Sequence, residues 1–72
     1  MERYLEIITL EEVATVDRSC ELLSNAGIPV LLKHVEIIEG NESRPGYSVM
    51  VPWQYSHTAQ SVIGALASAS NA

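Results

Sequence analysis

One amphipathic helix, followed at once by a short apolar strand, limits the folds open to this chain more than any other feature. The helix is predicted over Thr9–Ala26, because Thr9 and Glu12 have the spacing of a capping box, in which two side chains satisfy backbone donors at a helix start. Gly27 follows, and glycine commonly ends helices because it adopts a left-handed conformation at little cost. Side chains three and four positions apart form the predicted inner face: Val13, Val16, Cys20 and Leu23.

Three strands are predicted around this helix from alternating apolar residues. The first covers Arg3–Ile8, and the second begins at Ile28, includes Leu32 and is open to extension as far as Ile37. The third covers Tyr47–Val51. The sequence therefore predicts a sheet against which the helix can pack.

Two further patterns predict how the second and third strands are placed. Pro29 near the start of the second strand predicts an edge position, because proline has no N–H to donate to a strand ladder. Turn-forming residues crowd the segment Glu39–Gly46, which predicts a hairpin loop between the two strands. Binding residues concentrate in loops, so this loop, with Arg44, is a candidate for contact with a partner.

The end of the chain is predicted to be a second helix. Pro52 ends the third strand and suits a helix start, and the helix runs to about Ala69, with residues 68–72 frayed. Its apolar stripe is spaced by three and four: Ala59, Val62, Ile63 and Leu66.

The order strand, helix, strand, strand, helix predicts an α+β fold. With a right-handed crossover, the compact solution is a ferredoxin-like β-α-β-β-α domain: a three-stranded antiparallel sheet, ordered two-three-one, with both helices on one face. The first strand is then left at an edge, which favours pairing with another molecule. Apolar and charged side chains are expected to share the uncovered face: Tyr4, Ile8, Leu31 and Met50, beside Glu6 and Lys33.

Length and composition favour a single domain over residues 1–72 that associates with itself. A chain of about 60 residues buries only about 60% of its unfolded surface, so a folded monomer of this size is marginal. The 72 residues are 47% hydrophobic, which excludes a disordered chain and indicates apolar surface left over for contact. We therefore expect a homo-oligomer, most simply a dimer.

Charge and apolar runs exclude several classes of partner. The net charge is −5 and the four basic residues are scattered, so nucleic-acid binding is not expected. No apolar run approaches the roughly 20 residues of a membrane helix, and the start of the chain lacks the layout of a secretion signal, so the cytoplasm is the expected compartment. Cys20 is the single cysteine, which excludes an intramolecular disulfide, and it is expected to be buried as a small hydrophobe.

Several short motifs together resemble those of a known family. The helix that closes in Asn25–Val30, a hairpin through a glycine-containing loop, and Val49–Pro52 leading into a helix are similar to the small bacterial family of prokaryotic signal transducing proteins. The resemblance spans Tyr4–Leu66 and implies a PII-like, ferredoxin-like fold, with partner contacts through the hairpin loop. The chain departs from the family pattern after Pro52, where acidic residues are usual and Trp53–His57 stands instead.

The segment Trp53–His57 is the strongest candidate for a binding site. Trp53, Tyr55 and His57 lie at a predicted helix start, where anions are attracted and aromatic rings offer stacking surface. The alternative is that the aromatic residues cover the core or a subunit contact, which is the commoner use of such residues.

Catalytic and metal-binding patterns are not found. His34 and His57 are too far apart in sequence for a known metal motif, and Ser48 or Ser56 with His57 has no nucleophile-elbow context. We therefore expect no metal, no cofactor and no enzymatic activity. The leading hypothesis is a non-catalytic cytoplasmic regulatory or interaction module in signal transduction, with an unidentified protein as a further partner. The alternative is a small-molecule sensor with its ligand at a subunit interface near Trp53.

Overall fold

The computed structural model describes residues 3–70 and confirms the predicted α+β fold. Three antiparallel strands form one sheet in the order β1-β3-β2, which is the predicted two-three-one arrangement. The core joins side chains of both helices to the same two residues of β3, Val49 and Val51, so both helices cover one face. The elements, in chain order, are β1 (Tyr4–Leu10), α1 (Val13–Asn25), β2 (Leu31–Glu39), β3 (Glu42–Pro52), a 3-10 turn (Trp53–Tyr55) and α2 (Ser56–Ser70).

The start of α1 differs from the predicted one. Thr9 belongs to β1, where it lies opposite Ser48 of β3, and α1 begins four residues later. Glu12 is the N-cap residue and its side chain makes no capping hydrogen bond, so the predicted capping box is wrong. The reason is that Thr9 and Leu10 gain ladder partners in β3, and this pairing outweighs a local cap.

The predicted end of α1 is confirmed. Gly27 has φ of +76°, in the left-handed region, while Ala26 caps the helix. The N–H of Gly27 donates to the carbonyl of Ser24 at 2.9 Å, and that of Ile28 donates to the carbonyl of Leu23 at 3.0 Å. These two bonds define a Schellman motif, and the buried side chains of Leu23 and Ile28 supply its hydrophobic contact.

Replacing Gly27 with Ala is expected to lower the free energy of unfolding by about 1 kcal/mol, because the left-handed conformation costs other residues roughly 1–2 kcal/mol. No atom obstructs a Cβ there, so the loss reports backbone conformation alone. Gly64→Ala is the matched control. That glycine lies in α2 with open space around it, and alanine should stabilise the helix by about 0.5–1 kcal/mol. Urea unfolding followed by circular dichroism measures both, and equal effects of the two substitutions would contradict the assignment.

The buried face of α1 is only partly the predicted one. Val16 and Leu23 are buried, but Val13 is 57% exposed and Cys20 only half-buried. Ser19 takes the remaining core position, with a fully buried hydroxyl that has no hydrogen-bond partner among the described residues. Burial and the nearby charge of Asp17 raise the pKa of the Cys20 thiol, so this cysteine is less reactive than a free one.

An irregularity in β1 corrects the prediction for Ile8. The pairing register with β3 shifts between Glu6 and Ile8, which leaves Ile7 as the extra residue of a β-bulge. Ile7 and Ile8 therefore both pack against the core, and Ile8 is not on the uncovered face. The other residues predicted there are in register across that face: Tyr4 and Glu6 of β1, Met50 of β3, and Leu31 and Lys33 of β2.

The hairpin between β2 and β3 is much tighter than the predicted loop Glu39–Gly46. Only Gly40 and Asn41 form the turn, and Gly40 has φ of +62°. A positive φ at the first turn residue alone is typical of a type II′ turn, which matches the twist of paired strands. Glu39 and Glu42 are the first ladder pair, so all other residues of the predicted loop lie in strands.

Pro45 and Gly46 fit this long strand for local reasons. β1 ends opposite Tyr47, so at Pro45 the strand β3 has a ladder neighbour in β2 only. A Cβ at Gly46 would come 2.5 Å from Cδ1 of Ile37 and 3.3 Å from the carbonyl oxygen of Leu10, so glycine leaves room for the Ile37 side chain in its present position.

The second helix agrees with the predicted stripe as far as it is described. Ala59 and Ile63 are buried and Val62 packs against the core. The helix extends through Ser70, and residues 71 and 72, the end of the predicted frayed tail, lie outside the described residues. Within residues 3–70, neither helix has the length and apolar character required to cross a bilayer.

Candidate functional site

The start of β1 and the turn after β3 together form a surface cavity. The N–H of Trp53 donates to the carbonyl of Arg3 at 2.7 Å, which fixes the turn against the first strand. Arg3, Leu5 and Trp53 line a cavity of about 340 Å³. Trp53 is 58% exposed and Leu5 42% exposed, so both offer apolar surface to solvent. This is where Trp53, the central residue of the predicted site, is placed.

The three side chains suit one kind of ligand. Arg3 is exposed and makes no ion pair with any residue in the described range. Its guanidinium offers five N–H donors in a chain of net charge −5. A guanidinium binds a carboxylate or phosphate through two parallel hydrogen bonds, and an indole stacks on planar groups. The cavity can therefore hold a small planar anion.

The other residues predicted with Trp53 are not part of this cavity. Tyr55 is half-buried and packs against the hydrophobic core, which is the alternative use considered for the aromatic residues. His57 is exposed in the first turn of α2. Arg44 is nine residues before Trp53 along an extended strand, a separation of roughly 30 Å at the rise of a β-strand.

Arg44 is held in a separate cluster of carboxylates near the hairpin. Its Nε lies 2.7 Å from Oε1 of Glu11, and its Nη1 lies 3.2 Å from Oε1 of Glu39 and 3.9 Å from Oε2 of Glu42. Hydrogen bonds to Glu11 and Glu39 raise the pKa of Arg44. The guanidinium thus links the segment after β1 to the hairpin, and its charge is already neutralised within the chain.

The histidine and serine residues are not assembled into a catalytic group. The Ser48 hydroxyl donates to Glu6 on the uncovered face of the sheet, called the open face below, whereas His57 is on a helix that covers the opposite face. His34 packs its ring against Tyr47 with centroids 4.9 Å apart. Among residues 3–70, no three side chains of His, Cys, Asp or Glu are grouped so that they could hold a metal ion.

The sequence analysis did not identify Arg3 and Leu5 as site residues, although the alternation of side chains along β1 places them on the same side. Alternation along β1 puts both on one side of the strand, and the register pairs Leu5 with Val51 and Tyr4 with Pro52. Continuing that ladder by one position brings Arg3 beside Trp53. The pairing register, which the sequence did not provide, is what identifies the cavity.

Comparison of the chain with models of protein families, with curated proteins and with solved structures finds no match. The family resemblance drawn from the sequence motifs therefore stays a prediction.

Proposed function

We propose that this protein is a non-catalytic cytoplasmic module that acts in regulation or signal transduction through protein contacts, and that it works as a homo-oligomer. The observation that carries the proposal is the apolar surface of β2, an edge strand that exposes Leu31, Leu32 and Ile38. Ile38 is 73% exposed, which is unusual for an isoleucine in a strand. An edge strand with bare aliphatic side chains favours association.

The energetics of a small domain support the same conclusion. Full burial of a Leu or Ile side chain contributes about 1.5–3 kcal/mol, so the three exposed side chains of β2 represent several kcal/mol of unused stabilisation in each chain. A domain of this size is marginal on its own. Association would supply the missing burial.

Size-exclusion chromatography with light scattering is the test of the oligomeric part. At tens of micromolar the measured mass should be about twice the 7.9 kDa of one chain. Dilution should shift the mass towards that of the monomer, because association depends on concentration. A constant mass of one chain at every concentration would contradict the proposal.

A small-molecule sensor is the second candidate, favoured by the cavity of Arg3, Leu5 and Trp53. A cation, an exposed indole and an aliphatic wall together can recognise a planar carboxylate. Because the cavity lies beside β1, at the edge of the sheet opposite to β2, a ligand there would leave the apolar surface of β2 free.

Benzoate and indole-3-carboxylate are suitable probes for this second function. Trp53 is the only tryptophan, so its fluorescence reports binding directly, and a probe at 100 times its dissociation constant should stabilise the fold by about 2.7 kcal/mol. Arg3→Ala should weaken binding, whereas Arg18→Ala, which removes an equal charge from α1, should not. Saturable binding that is unchanged by Arg3→Ala would contradict the assignment of the site.

A further inference from the structure

The two free edges of the sheet differ in their readiness to pair. β1 contains the bulge at Ile7, and bulges are one means by which natural proteins prevent edge pairing. β2 pairs with β3 without interruption from Leu31 to Glu39, so its other edge is regular over nine residues. It contains no proline in that range. The edge of β2 is therefore the better template for another strand.

We propose that two copies of this chain pair antiparallel along β2, about a two-fold axis that lies midway between Val35 of one copy and Val35 of the other. This inference rests on the proposed function and identifies the surface and the partner, which is a second copy of the chain. A two-fold axis pairs residues that lie at equal distances before and after Val35 in the sequence. Directly opposite residues in an antiparallel pair share a face of the sheet, so this register keeps the faces of both copies matched.

The face on the side of the helices is self-complementary in this register. Leu32 lies opposite Ile38 of the second copy, which joins two side chains that are 41% and 73% exposed in one chain. His34 lies opposite Glu36 of the second copy, which brings a carboxylate to an imidazole. Both contacts occur twice because of the symmetry.

The open face is compatible with the same register. Val35 meets Val35 of the second copy on the axis, and Lys33 lies opposite Ile37 of the second copy, along which its methylene groups can extend. Glu39 of the second copy is then the diagonal neighbour of Lys33, within reach of its ammonium group. Opposite charges are thus brought together on this face.

Neighbouring registers are less favourable. An axis through Glu36 places two glutamates directly opposite each other, and like charges in that position destabilise a strand pair. An axis through His34 places the histidines opposite each other and sets the exposed Leu32 against Glu36. A shift by an odd number of residues sends the side chains of one copy to the wrong face. The register about Val35 leaves Leu31 opposite Glu39 of the second copy. It is nevertheless the register of these three that sets the exposed Leu32 against the exposed Ile38 and His34 against Glu36, each of them twice.

The pairing would produce a continuous six-stranded sheet with all four helices on one face. An antiparallel strand pair has its two-fold axis perpendicular to the sheet, so the covered faces of both copies are on the same side. The cavities at Arg3 lie at the two far edges. Each copy would therefore keep its own cavity, and neither would share it with the other copy.

Charge exchange between positions 34 and 36 tests this register. His34→Glu sets glutamates opposite each other twice, and Glu36→Lys sets a lysine opposite His34 twice. Each substitution should raise the dimer dissociation constant by about two- to thirtyfold, since it alters two cross-strand charge pairs that contribute roughly 0.2–1 kcal/mol each. The double variant His34→Glu/Glu36→Lys should recover an affinity within about threefold of the original. Thr9→Glu on β1 is the control for added charge.

Sedimentation velocity across a concentration series, with circular dichroism to verify the fold, measures all four variants. Weakened single variants, a recovered double variant and an unaffected Thr9→Glu support the pairing. A dimer that withstands both single substitutions would overturn this inference and leave the proposed homo-oligomer standing on another surface. A strictly monomeric original chain would overturn both. Loss of dimer in the double variant, with the fold intact, would overturn the register about Val35.

Discussion

Replacing Leu23 with Ala is expected to lower the free energy of unfolding by about 2–5 kcal/mol. Leu23 is completely buried, and it packs in the core with Ile28 and the central strand residues Val49 and Val51. Truncation of this side chain leaves a cavity in the core beside the end of α1, where the backbone carbonyl of Leu23 accepts the closing hydrogen bond. Domains of this length have total stabilities of roughly 4–11 kcal/mol, so the variant should be partly unfolded at room temperature.

Val13→Ala on the same helix is the matched control for this substitution. Val13 is mostly exposed, so its truncation removes little burial, and alanine is the better helix former. Urea unfolding monitored by circular dichroism should show a large loss for Leu23→Ala and a change within about 0.5 kcal/mol for Val13→Ala. Comparable losses at both positions would mean that α1 is rotated from its described orientation.

This pair of residues also shows how far a helical pattern predicts burial. Val13 and Leu23 both belong to the predicted stripe, and only Leu23 is in the core. Hydrophobicity favours burial of Val13, but the helix begins at that residue and its side chain is 57% exposed there. Ser19 is buried instead, and no pattern of apolar residues could indicate a serine. The direction of a helix face was predictable, but its limits depend on the elements packed against it.

Some features of the strands are predictable from neighbouring residues, and others depend on pairing with strands that are distant in sequence. The number of strands, the helix end at Gly27 and the strand end at Pro52 follow from local residue preferences, and the strand order follows from the right-handed crossover. The bulge at Ile7 and the inclusion of Ser43–Gly46 in β3 depend on pairing with distant strands. A turn-rich composition predicted a loop there because local preference was the only information available. Ladder partners in β2 outweighed that preference.

The candidate site also combines a residue that its neighbours indicate with residues whose contacts depend on distant parts of the sequence. The sequence predicted that Trp53 follows the third strand, and left open whether it binds a ligand or covers the core or a subunit contact; its side chain is 58% exposed. Arg3 reaches it only through the β1–β3 register. Arg44 was predicted as a contact residue because it is a cation in a loop, but Glu11, 33 residues away in sequence, neutralises it. Long-range charge pairing of this kind has no local signal.

Val49→Asp should unfold the isolated domain, whereas Leu32→Asp should leave it folded. The two residues are directly opposite in the β2–β3 ladder and share the face that bears the helices. Val49 is fully buried, so a carboxylate there has neither water nor a partner, and the effective penalty is several kcal/mol. Leu32 is 41% exposed, so a carboxylate at this position stays hydrated.

The two variants differ in the burial of the substituted residue, since both add one negative charge, at positions that lie directly opposite each other in the sheet. Thermal unfolding at low micromolar concentration, where association is minimal, should give a cooperative transition for Leu32→Asp and none for Val49→Asp. Leu32→Asp should also remain monomeric at concentrations where the original chain associates, because the exposed leucine is one of the apolar residues of β2 that favour contact. A folded Val49→Asp would show that the helices do not seal this face. An unfolded Leu32→Asp would show that they extend over β2, and the apolar surface from which association is argued would then belong to the core.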